Sequence, residues 1–291
     1  MLKLFCLLVL SSVCVSASAD SISRIKESKN IVIAHREALL PLSYLADDSK
    51  PVGYALDVCA KVVERIKREL KLPQLGISYL LVNSGSRLPA ITEGRADLEC
   101  GATASTAERR KVVNFSIPYF FNSTRFMVRQ DSVLKNWSDL KAQRVLVVRG
   151  STATVAMRDS NRINFKELSL SEAANTRDAL RILEAGQVDV FVADEITLAS
   201  LKSTSSTPDA WKVMGDSIAI EAQAIMLGKE DLALKAIVDK EIARLMLDGE
   251  LNKIYDKWFM QALPDGRGKL NLPMSFLLRD SMRVPSDKVL Y

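Results

Sequence analysis

Residues 77–105 read ISYLLVNSGSRLPAITEGRADLECGATAS, and this stretch decides the architecture. Residues 77–82 are an apolar run rich in strand formers. A polar turn follows, then residues 87–93 fit a short helix that Gly94 can end, and residues 96–100 form a second brief strand. Strand, helix and strand at this spacing make a βαβ unit. The same plan extends outward in both directions. Upstream, residues 30–34 (NIVIA) read as a buried strand. A loop holding Pro41 and Pro51 leads to residues 53–70, where Leu56, Val58, Cys59, Val62, Val63, Ile66 and Leu70 repeat with helical period. Downstream, residues 144–148 (RVLVV) form a strand, and Gly150-Ser151-Thr152 turns into a helix. Residues 176–184 form an amphipathic helix closed by Gly186, and residues 188–193 a strand ending in Asp194-Glu195. Residues 221–227 return as a strand, helices follow at 231–248 and 251–259, and the tail from 263 reads as mostly irregular. The pattern predicts an α/β fold with a largely parallel sheet, in two similar lobes.

The composition narrows the chemistry. The chain has 291 residues, a net charge of +5, one His and four Cys. At roughly 100–200 residues per domain, this length suggests two domains. His35 alone cannot build a multi-histidine metal site, and nothing near it looks like a nucleophile elbow. The dispersed positive charge gives no nucleic-acid footprint. Gly101 and Gly150 stand outside any GxGxxG or Walker pattern, so no phosphate site and no cofactor are expected. Residues 1–19 read as a cleavable signal peptide, with Lys3, an apolar stretch and the Ala17-Ser18-Ala19 site. A membrane anchor, or a lipoprotein signal using Cys14, is the other reading of that segment. Cleavage leaves Cys59 and Cys100, which can form a disulfide in an oxidising compartment or stay as buried thiols.

In α/β sheets, ligands bind outside the carboxyl ends of the strands. Those ends carry His35-Arg36-Glu37, Asn83-Ser84-Gly85-Ser86-Arg87, Gly101-Ala102-Thr103-Ala104-Ser105, Arg149-Gly150-Ser151-Thr152 and Asp194-Glu195. Arginines, hydroxyls, helix starts and one strand-end acid suit a small zwitterion. Arginine grips a carboxylate with two parallel hydrogen bonds, an aspartate balances an ammonium, and a helix N-terminus offers N–H donors. Each also has a structural reading. Ser105 and Glu108 have capping-box spacing, Asp194 can cap the following helix, and Arg36 and Arg87 can be surface residues.

Taken in order, these residues resemble the bacterial solute-binding proteins of family 3, most of all the periplasmic glutamate/aspartate-binding proteins of ABC importers. The resemblance rests on His35-Arg36-Glu37 with Pro41 and Tyr44, Gly53-Tyr54 with Asp57, Ser84 with Arg87-Leu88-Pro89, and Asp97-Leu98-Glu99-Cys100-Gly101 leading to Glu108-Arg109. It continues through Ser138-Asp139-Leu140, Gly150-Ser151-Thr152, Leu183-Glu184-Ala185-Gly186, Asp194, Asp256-Lys257-Trp258-Phe259 and Leu270-Asn271-Leu272-Pro273-Met274. It implies a two-lobed α/β periplasmic-binding-protein-like fold of type II, with ligand in the interlobe cleft and two hinge strands. Lobe 1 would be residues 20–127 and 225–291, and lobe 2 residues 128–224. Crossings would fall near 126–129 and 225–227.

By the same resemblance, Arg87 takes the ligand α-carboxylate and Asp194 its α-ammonium. Arg36 and Ser84 face the side-chain carboxylate, and Ser151 or Thr152 adds a hydrogen bond from lobe 2. The sequence departs from those relatives at four positions. Ala102 and Ala104 stand where hydroxyls are usual and keep only backbone groups to offer. Thr176 stands where a histidine contacts ligand, and Arg149 replaces a small residue. The implied partners are a small polar, acidic amino acid and an inner-membrane ABC permease, for a monomer in the periplasm that is not an enzyme. The alternative is an exported dehydratase of prephenate or arogenate type on the same scaffold, with Glu37, Glu99 or Glu195 as its acid.

Overall fold

The computed structural model describes residues 20–46, 50–164, 167–217, 219–264, 266 and 268–288. The expected leader, residues 1–19, lies outside them. The strands in chain order are β1 (Asn30–His35), β2 (Ala38–Leu39), β3 (Ser43–Leu45), β4 (Pro51–Val52), β5 (Gly76–Leu81), β6 (Leu98–Ala104) and β7 (Val113–Phe115). They continue as β8 (Phe120–Arg129), β9 (Arg144–Val148), β10 (Ser169–Ala173), β11 (Val190–Asp194), β12 (Trp211–Met214) and β13 (Ile220–Gly228). The helices are α1 (Ser21–Ser28), α2 (Tyr54–Leu70), α3 (Arg87–Thr92), α4 (Ala107–Arg110), α5 (Thr152–Asn164), α6 (Thr176–Glu184), α7 (Glu195–Thr204), α8 (Leu232–Leu247), α9 (Glu250–Tyr255) and α10 (Phe276–Ser281).

The main strands run in the order β10-β9-β11-β8-β13-β6-β1-β5. Parallel pairing holds within each lobe, β5-β1-β6 in the first and β10-β9-β11 in the second. The centre differs from the largely parallel expectation. There β8 and β13 run antiparallel to each other and to their neighbours, because both strands carry the chain between lobes. Residues 120–123 of β8 pair with β13, while 124–127 pair with β11. Residues 223–227 of β13 pair with β6. A three-stranded sheet, β2-β3-β4, covers the loop that the sequence left unassigned.

Apolar periodicity explains the packing. Helix α2 turns Tyr54, Leu56, Val58, Cys59, Val62, Val63 and Ile66 into the first lobe's core, where they join Leu234, Val238 and Ile242 of α8. Gly53 starts α2 at φ +141°, and a Cβ there would sit 2.3 Å from the Leu42 carbonyl oxygen, so only glycine fits. The second lobe sandwiches its sheet between two apolar clusters. Phe191 and Leu146 face one cluster, and Val190, Val145 and Val147 face the other.

Strand β6 is longer than the run at 96–100 predicts, and every residue in it is buried. Against β13, Thr103 pairs with Ala224 but Glu99 with Met226. β6 therefore bulges between those pairs, and Ala102 adopts φ +58° within the bulge. Cys59 and Cys100 form a disulfide between α2 and β6, with Cα atoms 6.3 Å apart. The capping box expected at Ser105 gives way to a simple cap one residue on. Thr106 caps α4, its hydroxyl accepting from Arg109 N at 3.3 Å, while Ser105 Oγ accepts from Arg110 Nε at 2.8 Å. The tail is more ordered than expected, holding α10 and binding back to lobe 1. Arg110 Nη2 donates to the Asp287 carbonyl (2.9 Å), and Lys235 Nζ contacts its carboxylate (2.8 Å). Among the described residues, no helix is long and apolar enough to cross a membrane.

Candidate functional site

The carboxyl ends of β1, β6, β9 and β11 meet around one narrow cleft between the lobes. From lobe 1, Arg36 follows β1 and is buried. Its backbone N–H donates to Ser43 Oγ (3.0 Å) and its Nη2 donates to Ser84 Oγ (3.1 Å). Arg87 opens α3 and is also buried. Ala102 and Ala104 line the floor from β6. From lobe 2 come Ser151 and Thr152 at the start of α5, Thr176 at the start of α6, and Asp194 at the end of β11. Asp194 also caps α7. Its Oδ1 accepts from Thr197 N and from Asn122 Nδ2, each at 2.9 Å. Both readings of this residue are therefore compatible, since the cap uses one carboxylate oxygen.

Nine of the ten expected residues thus line one cleft. Arg149 does not. Val148 faces the cleft, and strand alternation turns the next side chain to the opposite face. There Arg149 Nε pairs with Glu172 Oε2 at 3.3 Å, and the side chain is 70% exposed. Gly150, at φ +76°, brings the second-lobe turn against the first lobe. A Cβ there would lie 2.7 Å from the Ser84 carbonyl oxygen.

The structure adds Leu39, Arg109, Thr197, Glu221 and Gln223 to the lining. Arg109 bridges the lobes, Nη1 donating to the Ala104 carbonyl (2.9 Å) and Nη2 to the Gly150 carbonyl (3.2 Å). Glu221 and Gln223 lie two apart on β13 and so share a face. That period-2 pair was the available signal for them. The three candidate acids all lie outside the lining. Glu37 pairs across the cleft mouth with Arg177 (2.9 Å), Glu195 accepts from Ser123 Oγ (2.9 Å), and Glu99 is sealed inside.

The cleft is electrostatically dense. Burial pushes Arg36 down to about 10 and Arg109 down to about 9, and the Arg87 charge adds to both shifts. Arg36 and Arg109 both stay cationic at neutral pH. Burial raises the Glu221 carboxyl, with the nearby Asp194 charge acting in the same direction and Thr152 opposing. His35 is a packed strand-end residue. Its Nδ1 lies 3.0 Å from the Arg36 carbonyl, its ring meets Tyr79 edge-on, and burial lowers its pKa. Among the described residues, no cluster of His, Cys, Asp and Glu could hold a metal ion. Such a site can hold an ion of mixed charge between two lobes.

Residues 31–261 match the family described as bacterial extracellular solute-binding proteins, family 3. An L-glutamate/L-aspartate-binding protein of Pseudomonas aeruginosa is 36% identical over 269 residues, covering 92% of this chain and 89% of the relative. A glutamate/aspartate import solute-binding protein of Escherichia coli is 32% identical, covering 94% and 91%. Both names describe binding proteins, not enzymes. Among solved structures, an ABC uptake transporter substrate-binding protein from Streptococcus pneumoniae with bound histidine superposes with a TM-score of 0.72. It is 21% identical and covers 84% of this chain and 98% of that one. At that identity the likeness speaks for the fold.

Proposed function

We propose, for a chain that belongs to the bacterial extracellular solute-binding proteins of family 3, that the interlobe cleft captures a polar, acidic amino acid and delivers it to an ABC permease. The carrying observation is the assembly of Arg36 with Ser84, Arg87, and Asp194 from two lobes around one cleft. Arg87 takes the α-carboxylate. Asp194 Oδ2 takes the α-ammonium, while Oδ1 stays with its cap. Arg36 and Ser84 take the side-chain carboxylate, and Thr152 at the start of α5 donates from the second lobe. Backbone groups of Ala102, in the bulge, and of Ala104 beyond it stand in for absent hydroxyls. The relatives' names support glutamate and aspartate as first ligands to try.

Binding begins on lobe 1, and closure about β8 and β13 then adds lobe 2. Only contacts made in the closed form favour closing. The hinge sits where the two strands pair with each other, with lobe 1 on either side of lobe 2 in sequence. The closed pair of lobes is what the permease reads. The protein works as a monomer in the periplasm, after removal of residues 1–19.

Titration calorimetry of the protein without residues 1–19 against glutamate, aspartate and neutral amino acids tests the reading. One-to-one binding of an acidic amino acid is expected. Arg87→Ala leaves a desolvated carboxylate unpaired and costs about 2–5 kcal/mol of affinity. Unchanged affinity removes Arg87 as the anchor, and no binding of any amino acid defeats the function.

A further inference from the structure

Gln223 lines the cleft and is 2% exposed, and its side-chain oxygen has no hydrogen-bond partner among the described residues. A buried acceptor left in that state costs free energy until a donor reaches it. Strand pairing fixes where the carboxamide starts. Gln223 pairs with Ala104 of β6 on one side and with Phe120 of β8 on the other, and its carbonyl accepts from Tyr119 N at 3.0 Å. Neither cross-strand side chain carries a polar atom. Two cleft arginines have partners elsewhere. Arg36 Nη2 donates to Ser84 Oγ, and Arg109 donates to the carbonyls of Ala104 and Gly150.

The ligand class decides which group can answer that oxygen. At neutral pH both carboxylates of an acidic amino acid only accept hydrogen bonds. Its α-ammonium is its one donor, with three N–H bonds to place. Asp194 supplies an acceptor from lobe 2. Glu221 shares a face with Gln223, feels the Asp194 charge, and pairs with Asn122, whose Nδ2 donates to Asp194 Oδ1 at 2.9 Å. Side-chain acceptors from β11 and β13 thus gather on the hinge side of the cleft. We propose that Gln223 is a ligand-contacting residue whose side-chain oxygen accepts from the α-ammonium of the bound amino acid, alongside Asp194. This rests on the amino-acid-binding function proposed above. Cross-strand neighbours lie about 5 Å apart, so the small Ala104 leaves room for the carboxamide, which returns a polar side chain to a floor that β6 leaves without one. Gln223 stands where β13 passes from its pairing with β8 to its pairing with β6. Its contact is therefore in place on lobe 1, and Asp194 completes the set when lobe 2 closes.

The test has two parts, both using the protein without residues 1–19. The first is calorimetry of wild type and Gln223→Met with L-glutamate and L-aspartate. Methionine keeps the length of the side chain and removes its acceptor. Affinity for both ligands should fall at least tenfold, about 1.4 kcal/mol, because both carry the same ammonium, while the melting temperature stays near that of wild type. Unchanged affinity overturns the proposal. The second part is a crystal structure of wild type with whichever of the two binds tighter, and it decides the matter even if the variant fails to fold. The carboxamide should lie about 3 Å from the ammonium nitrogen, a contact that only its oxygen can make as acceptor. A carboxamide turned onto a ligand carboxylate, or out of hydrogen-bond reach of every ligand atom, overturns the proposal. If wild type binds neither ligand, the underlying function falls, and the role of Gln223 with it.

Discussion

Asp194 shows how one side chain serves fold and site at once. Its Oδ1 is held by Thr197 N and Asn122 Nδ2, which fixes the direction of the carboxylate. Asp194→Asn keeps an acceptor for the cap but removes the charge. A charge-assisted hydrogen bond is worth about 1.5–3 kcal/mol. Affinity for amino acids should therefore fall about tenfold or more in calorimetry, with the melting temperature nearly unchanged. A large loss of stability would mean that the cap dominates. Arg87, Ser84 and Thr152 were legible at this scale because parallel strands end where ligands bind. Arg109, Glu221 and Gln223 were not. Arg109 comes from a short helix after β6, and the other two from an antiparallel strand that the rule of strand ends does not cover. Arg149 was misplaced because its neighbours mark a turn, whereas the ladder still runs through it, Arg149 N donating to the Ala173 carbonyl at 3.0 Å.

At the scale of elements, helices read well. Residues 176–184 coincide with α6, whose Asn175 caps it by accepting from Asp178 N. The boundaries of β6 read poorly because Gly101, Ala102 and Ala104 lack strand propensity, and tertiary pairing with β13 overrides that. The small sheet β2-β3-β4 was hidden by its prolines. The tail was read as irregular because its hold on α8 and α4 is polar and distant in sequence. Lys235 binds both Asp239 and Asp287. The hydrogen bond from Lys235 holds the Asp287 carboxyl below its usual range. A depressed folded pKa stabilises the contact above the ordinary aspartate value, about 3.9, and that stabilisation is lost as pH falls through the folded value. Asp239, raised by burial, works in the opposite direction. Exchange over residues 284–288, measured relative to the intrinsic amide rate at each pH, should be slow at pH 6 and accelerate as the pH falls below the ordinary aspartate value. Lys235→Met should make it fast at both. Equal protection across that range would show that the strap does not depend on Asp287.

At the scale of the whole molecule, the disulfide ties α2 to β6, the strand that floors the cleft. The linked residues lie 41 apart in sequence, and closing a loop of that size restricts the unfolded chain by roughly 2–4 kcal/mol. Replacing both cysteines by serine should lower the melting temperature by several degrees and leave ligand affinity within a few-fold. A large affinity loss would make the bridge part of the site's positioning. Two lobes were visible from the repeated strand-helix plan and two hinge strands followed from the family resemblance, but only three-dimensional pairing shows β8 and β13 side by side. That joining has a consequence for how the chain is made. β13 lies between β8 and β6 in the sheet, and α8 and α9 cover α2. A nascent chain therefore cannot complete its first lobe until the second has been synthesised and residues beyond 250 have emerged. The first 120 residues therefore leave the ribosome without the strand that closes their sheet, and they wait for a partner that is made a hundred residues later.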